Sequence, residues 1–305
     1  MLNVIPGMYW ATNCHKQTGD KMYRHTLLKT TLVSIIALTT MLSTLTVFAA
    51  ELNNEFFVFD NGAGRGQWAP EQQAKTLANL GYAGIGYSGT EDLETRMTAF
   101  KKHGLNIYNL YVPCYVDKNV AYGDDLKEAI KLLKGTDVAL WLTVQGQAKD
   151  DAKAVEVVSE IADLAAASGI KVALYPHHGF YVDEIGDALR VVKKANRENL
   201  GVTFNLCHEL KAGNEAQFAT LLKEAAPHLF FVSINGADHE GNWDTLIQPL
   251  GEGVFDLKGL LAMILDLGYI GPIGLQCYAV PGDTLENLTH NIAEWKKLVK
   301  DFATN

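Results

Sequence analysis

A chain of 305 residues, 48% hydrophobic and 20% charged, has the composition of an ordinary globular protein. Its formal net charge of −9 excludes the basic surface that DNA or an anionic membrane selects. Four scattered cysteines do not make a disulfide framework.

The N-terminus stands apart from the rest. Lys16, Lys21, Arg24 and Lys29 make it basic, and Thr31 to Phe48 carries no charge and is mostly apolar. Val47-Phe48-Ala49 then offers small residues at signal-peptidase spacing. The pattern predicts a signal peptide over residues 1–49, with Met22 as an alternative start of translation. An uncleaved anchor is the competing reading, since the run is about long enough to span. Its many Ser and Thr residues favour cleavage near Ala49 or Ala50 instead. The expectation is a periplasmic or secreted protein with no stable membrane association after cleavage. Residues 50–305 then number 256, close to the roughly 250 typical of one (β/α)₈ barrel. Losing four basic residues and Asp20 takes the net charge to −12. Cys14 leaves with the leader, and Cys114, Cys207 and Cys277 remain as buried free thiols.

No linker or composition shift divides residues 50–305, which read as one domain. Strands are expected at Glu55–Asp60, Tyr82–Tyr87, Leu105–Val112 (broken by Pro113) and Val138–Val144. Four more are expected at Ile170–Leu174, Gly201–Leu206, Leu229–Ile234 and Pro272–Cys277. Helices are expected between them: 70–80 with Pro70 in the first turn, 91–103, 124–134, 149–168, 182–195, 215–226, 257–267 and 285–302. Eight strands alternating with eight helices is the grammar of a single (β/α)₈ TIM barrel. A long polar insertion, Asn235 to Glu252, follows the seventh strand on the face where such barrels carry their functional loops.

The fifth unit is the most informative. Ile170 to Leu174 is apolar, and Tyr175-Pro176-His177-His178-Gly179 follows; proline stops the strand and leaves two imidazoles past its C-terminal end. Alternation puts Ala173, Tyr175 and His177 on one face, with Thr203, Asn205 and the nearby His208 on the next strand. Phe231, Ser233 and Asn235 follow on strand seven, and Gly274 and Gln276 on strand eight. Faces that end in polar groups mark a site at the barrel mouth.

Pro249–Tyr278, with its Gly-Glu-Gly loop and Gly-Tyr-Ile-Gly-Pro turn, resembles the closing unit of the sugar isomerase/epimerase superfamily with the xylose-isomerase-like barrel. Gly81-Tyr82-Ala83-Gly84-Ile85 resembles that family's entry to strand two, and the likeness runs over about residues 54–302. It implies a metal site built from a carboxylate on strand five, an Asp-x-x-His pair at strand six, a His on strand seven and a Glu on strand eight. Position by position this chain has Tyr175, then Asn205 with His208, Ser233 and Gln276. The anionic ligands have become neutral, which weakens any hold on Mg²⁺.

His177 and His208, with Asn205 and Gln276 oxygens, would still suit one divalent ion (Zn²⁺, Co²⁺, Fe²⁺ or Mn²⁺), or else hydrogen-bond a sugar directly. No nucleotide cofactor is expected. His177, His208, His178 and Glu209 are the acid/base candidates, although Glu209 reads equally as a solvated loop carboxylate. Tyr175, Asn205, Asn235, Asp238, Gln276 and the stacking aromatics Trp243 and Tyr278 are the binding candidates, with Trp141 more a core residue. Asp238 and His239 read equally as turn formers, and Arg65 and Lys258 have no evident role. The resemblance implies an enzyme that removes a proton beside a sugar carbonyl: isomerisation, epimerisation, or elimination and hydration of a keto-sugar. A carbohydrate-binding barrel without catalysis is the alternative. An abasic-site nuclease is disfavoured by the acidic charge, and the oligomeric state is open.

Overall fold

The computed structural model describes residues 51–304; the expected leader lies outside them. Strand β1 (Phe56–Phe59) leads to α1 (Pro70–Leu80), β2 (Gly84–Ser88), α2 (Leu93–Lys102), β3 (Asn106–Tyr115) and α3 (Asp124–Leu132). Next come β4 (Ala139–Gln145), α4 (Ala152–Ala166), β5 (Val172–Leu174), α5 (Ile185–Ala195), β6 (Leu200–Asn205), α6 (Leu206–Lys211) and α7 (Phe218–Ala225). The chain closes with β7 (Leu229–Ile234), α8 (Trp243–Leu246), α9 (Leu257–Asp266), β8 (Ile273–Leu275) and α10 (Thr284–Ala303). All neighbouring strands are parallel, and β8 pairs back onto β1, so the sheet is a closed eight-stranded barrel. No helix among the described residues is long and apolar enough to cross a membrane.

Strand alternation divides the apolar residues into two cores. The larger lies between the strands and the helix ring, as with Val58, Ile85 and Leu140. The smaller fills the barrel with aromatic rings: Phe57, Phe59, Tyr108, Trp141, Tyr175 and Phe231. Glycines make room for them. A Cβ on Gly274 would sit 2.6 Å from Phe57, and one on Gly86 would sit 2.7 Å from Asn109 Oδ1. Both contacts are closer than real Cβ atoms allow.

Three local expectations need correction. Strand β3 does not break at Pro113; it runs on to Tyr115, with Pro113 opposite Thr143 of β4. Pairing with β2 ends at Tyr111, so the missing N–H lies where that side of the strand has no partner. Two short helices, α6 and α8, were also not expected. Helix α6 begins directly at the tip of β6 and puts His208 and Glu209 on a helical turn instead of a loop. Helix α8 lies in the insertion after β7, which an antiparallel bridge between Gly236 and Gln248 ties together.

Candidate active site

Strand β5 ends at Leu174, and the chain then folds into a tight turn, with Phe180 N–H donating to His177 O and His177 N–H to Val182 O. This turn presents both histidines at the C-terminal mouth, beside the first turn of α6. Here a cavity of about 470 Å³ opens, in the size range of small-molecule sites. His177, His178 and His208 line it, with Tyr175, Gln276, Trp243 and Tyr278.

The histidines are linked through backbone groups whose roles are fixed. A carbonyl only accepts, so the 3.1 Å contact from His177 Nδ1 to His178 O places the proton on Nδ1 and leaves the lone pair on Nε2. A backbone N–H only donates, so the 3.0 Å bond from His178 N to His208 Nδ1 makes that nitrogen the acceptor and places the proton on Nε2. The two rings, 4.3 Å apart, therefore hold opposite tautomers. Burial pushes the His177 imidazole below its ordinary value and His208 well below, the neighbouring histidines adding to the second effect. Both are neutral at neutral pH. His177 also stacks on Phe180 at 4.0 Å, which fixes its ring plane.

Around this pair the cavity is aromatic and uncharged but for one rim residue. Trp141 and Tyr175 stack at 5.1 Å to form the floor, and Trp243 lies edge-on 5.2 Å from His208. Gln276 Nε2 donates to the Tyr175 hydroxyl, while its Oε1 accepts from Asn61 Nδ2 and Tyr278 N–H. Arg65 is the rim cation; it pairs with buried Asp60, which also accepts from Ser88. His178 Nδ1 is 3.1 Å from Asp183 Oδ1.

The cavity includes residues that sequence reasoning missed. Asn61, Asn109, Tyr111 and Phe59 line it, as does Arg65, which had no evident role. Asn61 Oδ1 and Asn109 Oδ1 are buried acceptors with no partner among the described residues, and Trp141 Nε1 is a buried donor with none. A register shift opposite Ile85 and Gly86 turns Asn109 inward, and strand alternation alone does not locate such a shift. The one signal was a polar residue inside the apolar and aromatic run Ile107-Tyr108-Asn109-Leu110-Tyr111.

Four candidates lie elsewhere. Glu209 faces away from the mouth: its carboxylate accepts from Ile185 N–H at the start of α5 and from Asn214 Nδ2. It is a buried structural carboxylate, and burial pushes it up to about 7. Asp238 binds Val254 N–H and braces the insertion, with His239 paired to Glu215. Asn235 Nδ2 donates to Gly236 O and Leu246 O, holding the insertion against β7. Asn205 is buried below the lining, its Oδ1 accepting from Cys207 Sγ at 3.3 Å. A larger depression of about 1380 Å³ lies at the opposite, N-terminal end, by Glu55, Tyr108 and Ile270, far from these groups.

The family model for the xylose isomerase-like TIM barrel matches residues 74–298. The chain belongs to that family. Its barrel superposes on a zinc-bound crystal structure of the protein IolI with a TM-score of 0.67 at 16% identity, covering 81% of this chain and 99% of that one. It also superposes on 3-keto-D-glucoside 4-epimerase YcjR from E. coli (TM-score 0.63, 14% identity, 80% and 99% covered). In sequence it is 26% identical to an inosose isomerase of Bacillus licheniformis over 150 residues, 45% of this chain and 51% of that protein. The chain spans about half the length of the curated relatives it matches.

A zinc-bound structural neighbour raises the question whether this barrel's donors fit a divalent ion. They do not. Among the described residues no three His, Cys, Asp or Glu side chains converge as metal ligands. Gln276 Oε1 already accepts two hydrogen bonds, Asn205 lies below the cavity lining, and His208 offers a proton where a ligand needs a lone pair, which leaves His177 Nε2 as the one free imidazole nitrogen of the pair.

Proposed function

We propose that this barrel is a sugar isomerase- or epimerase-type enzyme that removes a proton beside the carbonyl of a carbohydrate, with His177 as the base. The observation that carries the reading is the tautomer of His177, whose Nδ1–H is committed to His178 O and whose Nε2 lone pair is left for a proton. Asn61 Oδ1 and Asn109 Oδ1 are acceptors for sugar hydroxyls, and Trp243 and Tyr278 are surfaces for the C–H face of a ring. The relatives that isomerise inosose and epimerise a keto-glucoside support the same class.

In the reaction, the electrons of the C–H bond move toward the carbonyl carbon and the proton passes to His177 Nε2. Return to the neighbouring carbon gives isomerisation. Return from the opposite face gives epimerisation, for which His178, backed by Asp183, is the second proton carrier. Loss of a β-hydroxyl instead gives the dehydrated keto-sugar. With Arg65, its one lining cation among the described residues, already paired with Asp60, the cavity favours free sugars over phosphosugars.

The basic start, charge-free run and small residues ahead of Ala50 support export to the periplasm or beyond, where free sugars are the substrates at hand. The test is solvent deuterium exchange followed by NMR over a panel of ketoses, aldoses and keto-glycosides. Deuterium should enter one carbon next to the carbonyl of at least one of them. Sugars that bind without exchanging would make this a carbohydrate-binding barrel, the reading that the missing carboxylates otherwise favour.

A further inference from the structure

Isomerisation beside a carbonyl needs something to hold negative charge on oxygen while the carbon is deprotonated. Among the described residues no lysine and no acidic side chain lines the mouth cavity, and its one cation, Arg65, is paired with Asp60 at the rim. Two of its lining residues carry uncharged donors instead. His208 offers Nε2–H, because His178 N–H occupies its Nδ1. Trp141 offers Nε1–H, which is completely buried and has no acceptor among the described residues. A buried donor left unpaired is unfavourable unless a ligand supplies the acceptor.

Both donors are held in place by packing. Trp141 lies between Phe59, edge-on at 5.1 Å, and Tyr175, stacked at 5.1 Å. His208 is fixed by its backbone hydrogen bond and by Trp243 against its edge. Such fixed dipoles need no reorganisation when charge develops. Meanwhile Gln276 Oε1 already has two donors and His208 Nδ1 has His178, so of these imidazoles only His177 Nε2 keeps a lone pair, the one used for the proton.

We propose that Trp141 Nε1–H and His208 Nε2–H form a neutral oxyanion site that stands in for a divalent cation, so that this barrel turns over without metal. The inference rests on the proposed proton abstraction by His177. In the step, the carbonyl π electrons move onto oxygen as the C–H pair forms the new C=C bond. The oxygen is held by the two N–H groups, and the proton stays on His177 until it is returned. No oxidant, reductant or further reactant is consumed.

The test uses the purified full chain and has two arms. In the first, the protein is treated with chelator, analysed for metal content and titrated with Zn²⁺ and Mn²⁺ by calorimetry. The expected result is no one-to-one binding and a deuterium-exchange rate unchanged by chelation. One equivalent of tightly bound cation, lost in His208→Leu and needed for exchange, would overturn the proposal. In the second, Trp141→Phe and His208→Leu should each lower kcat by about 10²–10³ with little change in KM, as loss of one oxyanion donor does. His208→Gln, which restores an N–H donor, should recover most of that loss. Melting curves on all three separate lost donors from lost folding, and His208→Gln decides the matter if Trp141→Phe does not fold. Full activity in folded Trp141→Phe, or no rescue by Gln, would overturn it. A wild-type protein that exchanges with no sugar sinks the functional reading as well, whereas exchange that requires metal sinks this inference alone.

Discussion

At the scale of single residues, hydrogen-bond partners decide the chemistry more than residue type does. The sequence placed three histidines near one mouth but could not say which nitrogen carries each proton. That depends on the carbonyl and the N–H of His178, two backbone groups of a turn whose shape no alternation rule supplies. The consequence is measurable in a pH profile. His177 must be neutral to act, and burial holds its pKa below the ordinary histidine range, so activity should fall only when the pH drops through that depressed value. The acid limb of kcat/KM should therefore lie below pH 6.5, with no loss between pH 7 and 8 from this group. An acid limb above pH 7 would mean that another group is the base. Glu209 shows the opposite failure of sequence reasoning: beside His208 it read as a catalytic acid, yet helical geometry turns it to the far side of α6.

At the scale of elements, Glu209 joins α6 to α5. Burial raises its pKa from the ordinary 4.5 to about 7. The folded state holds this proton more tightly, so the group's contribution to stability is full below about pH 4.5 and is lost as the pH rises through about 7. Glu209→Gln should flatten that part of the stability profile. Glu209→Ala should destabilise by about 1–3 kcal/mol, since Ile185 N–H and Asn214 lose their acceptor. Urea unfolding at pH 5 and pH 8 checks both, and equal slopes in wild type and Glu209→Gln would refute the assignment. Helices α6 and α8 escaped sequence reading because each is under two turns long, too short for a periodic signal. Helix α8 nonetheless places Trp243 at the mouth. Trp243→Ala should weaken sugar binding about tenfold while leaving the melting temperature nearly unchanged, because the residue covers the site without filling a core. Titration followed by intrinsic fluorescence or calorimetry measures it.

At the scale of the whole molecule, the barrel was legible because its signals repeat. Each apolar strand run, its punctuating Gly or Pro and the helix after it recur eight times, and a misplaced boundary such as that at Pro113 changes nothing in the closure. The cysteines follow the same logic. Cys114, Cys207 and Cys277 are buried and unpaired, and burial raises all three thiols, Cys277 to about 12. They should resist thiol reagents in the native protein and react when it is unfolded; rapid native labelling of any of them would contradict their packing. The site was legible at the tips of β5, β6 and β8 and in the insertion after β7, where His177, His208, Gln276 and Trp243 were expected and line the cavity. Asn61 and Trp141 enter it through a turn after β1 and the barrel floor, with no local sequence mark, and Asn109 enters through a register shift that its polar place in an apolar run does not by itself reveal. The central claim is that His177 carries the proton, and the most direct measurement follows a substrate deuterated next to its carbonyl through turnover by wild type and His177→Gln. Wild type should wash deuterium into solvent, and His177→Gln, folded and still binding the sugar, should be about 10²–10⁴-fold slower in doing so. Deuterium loss at the wild-type rate from that variant would contradict the assignment.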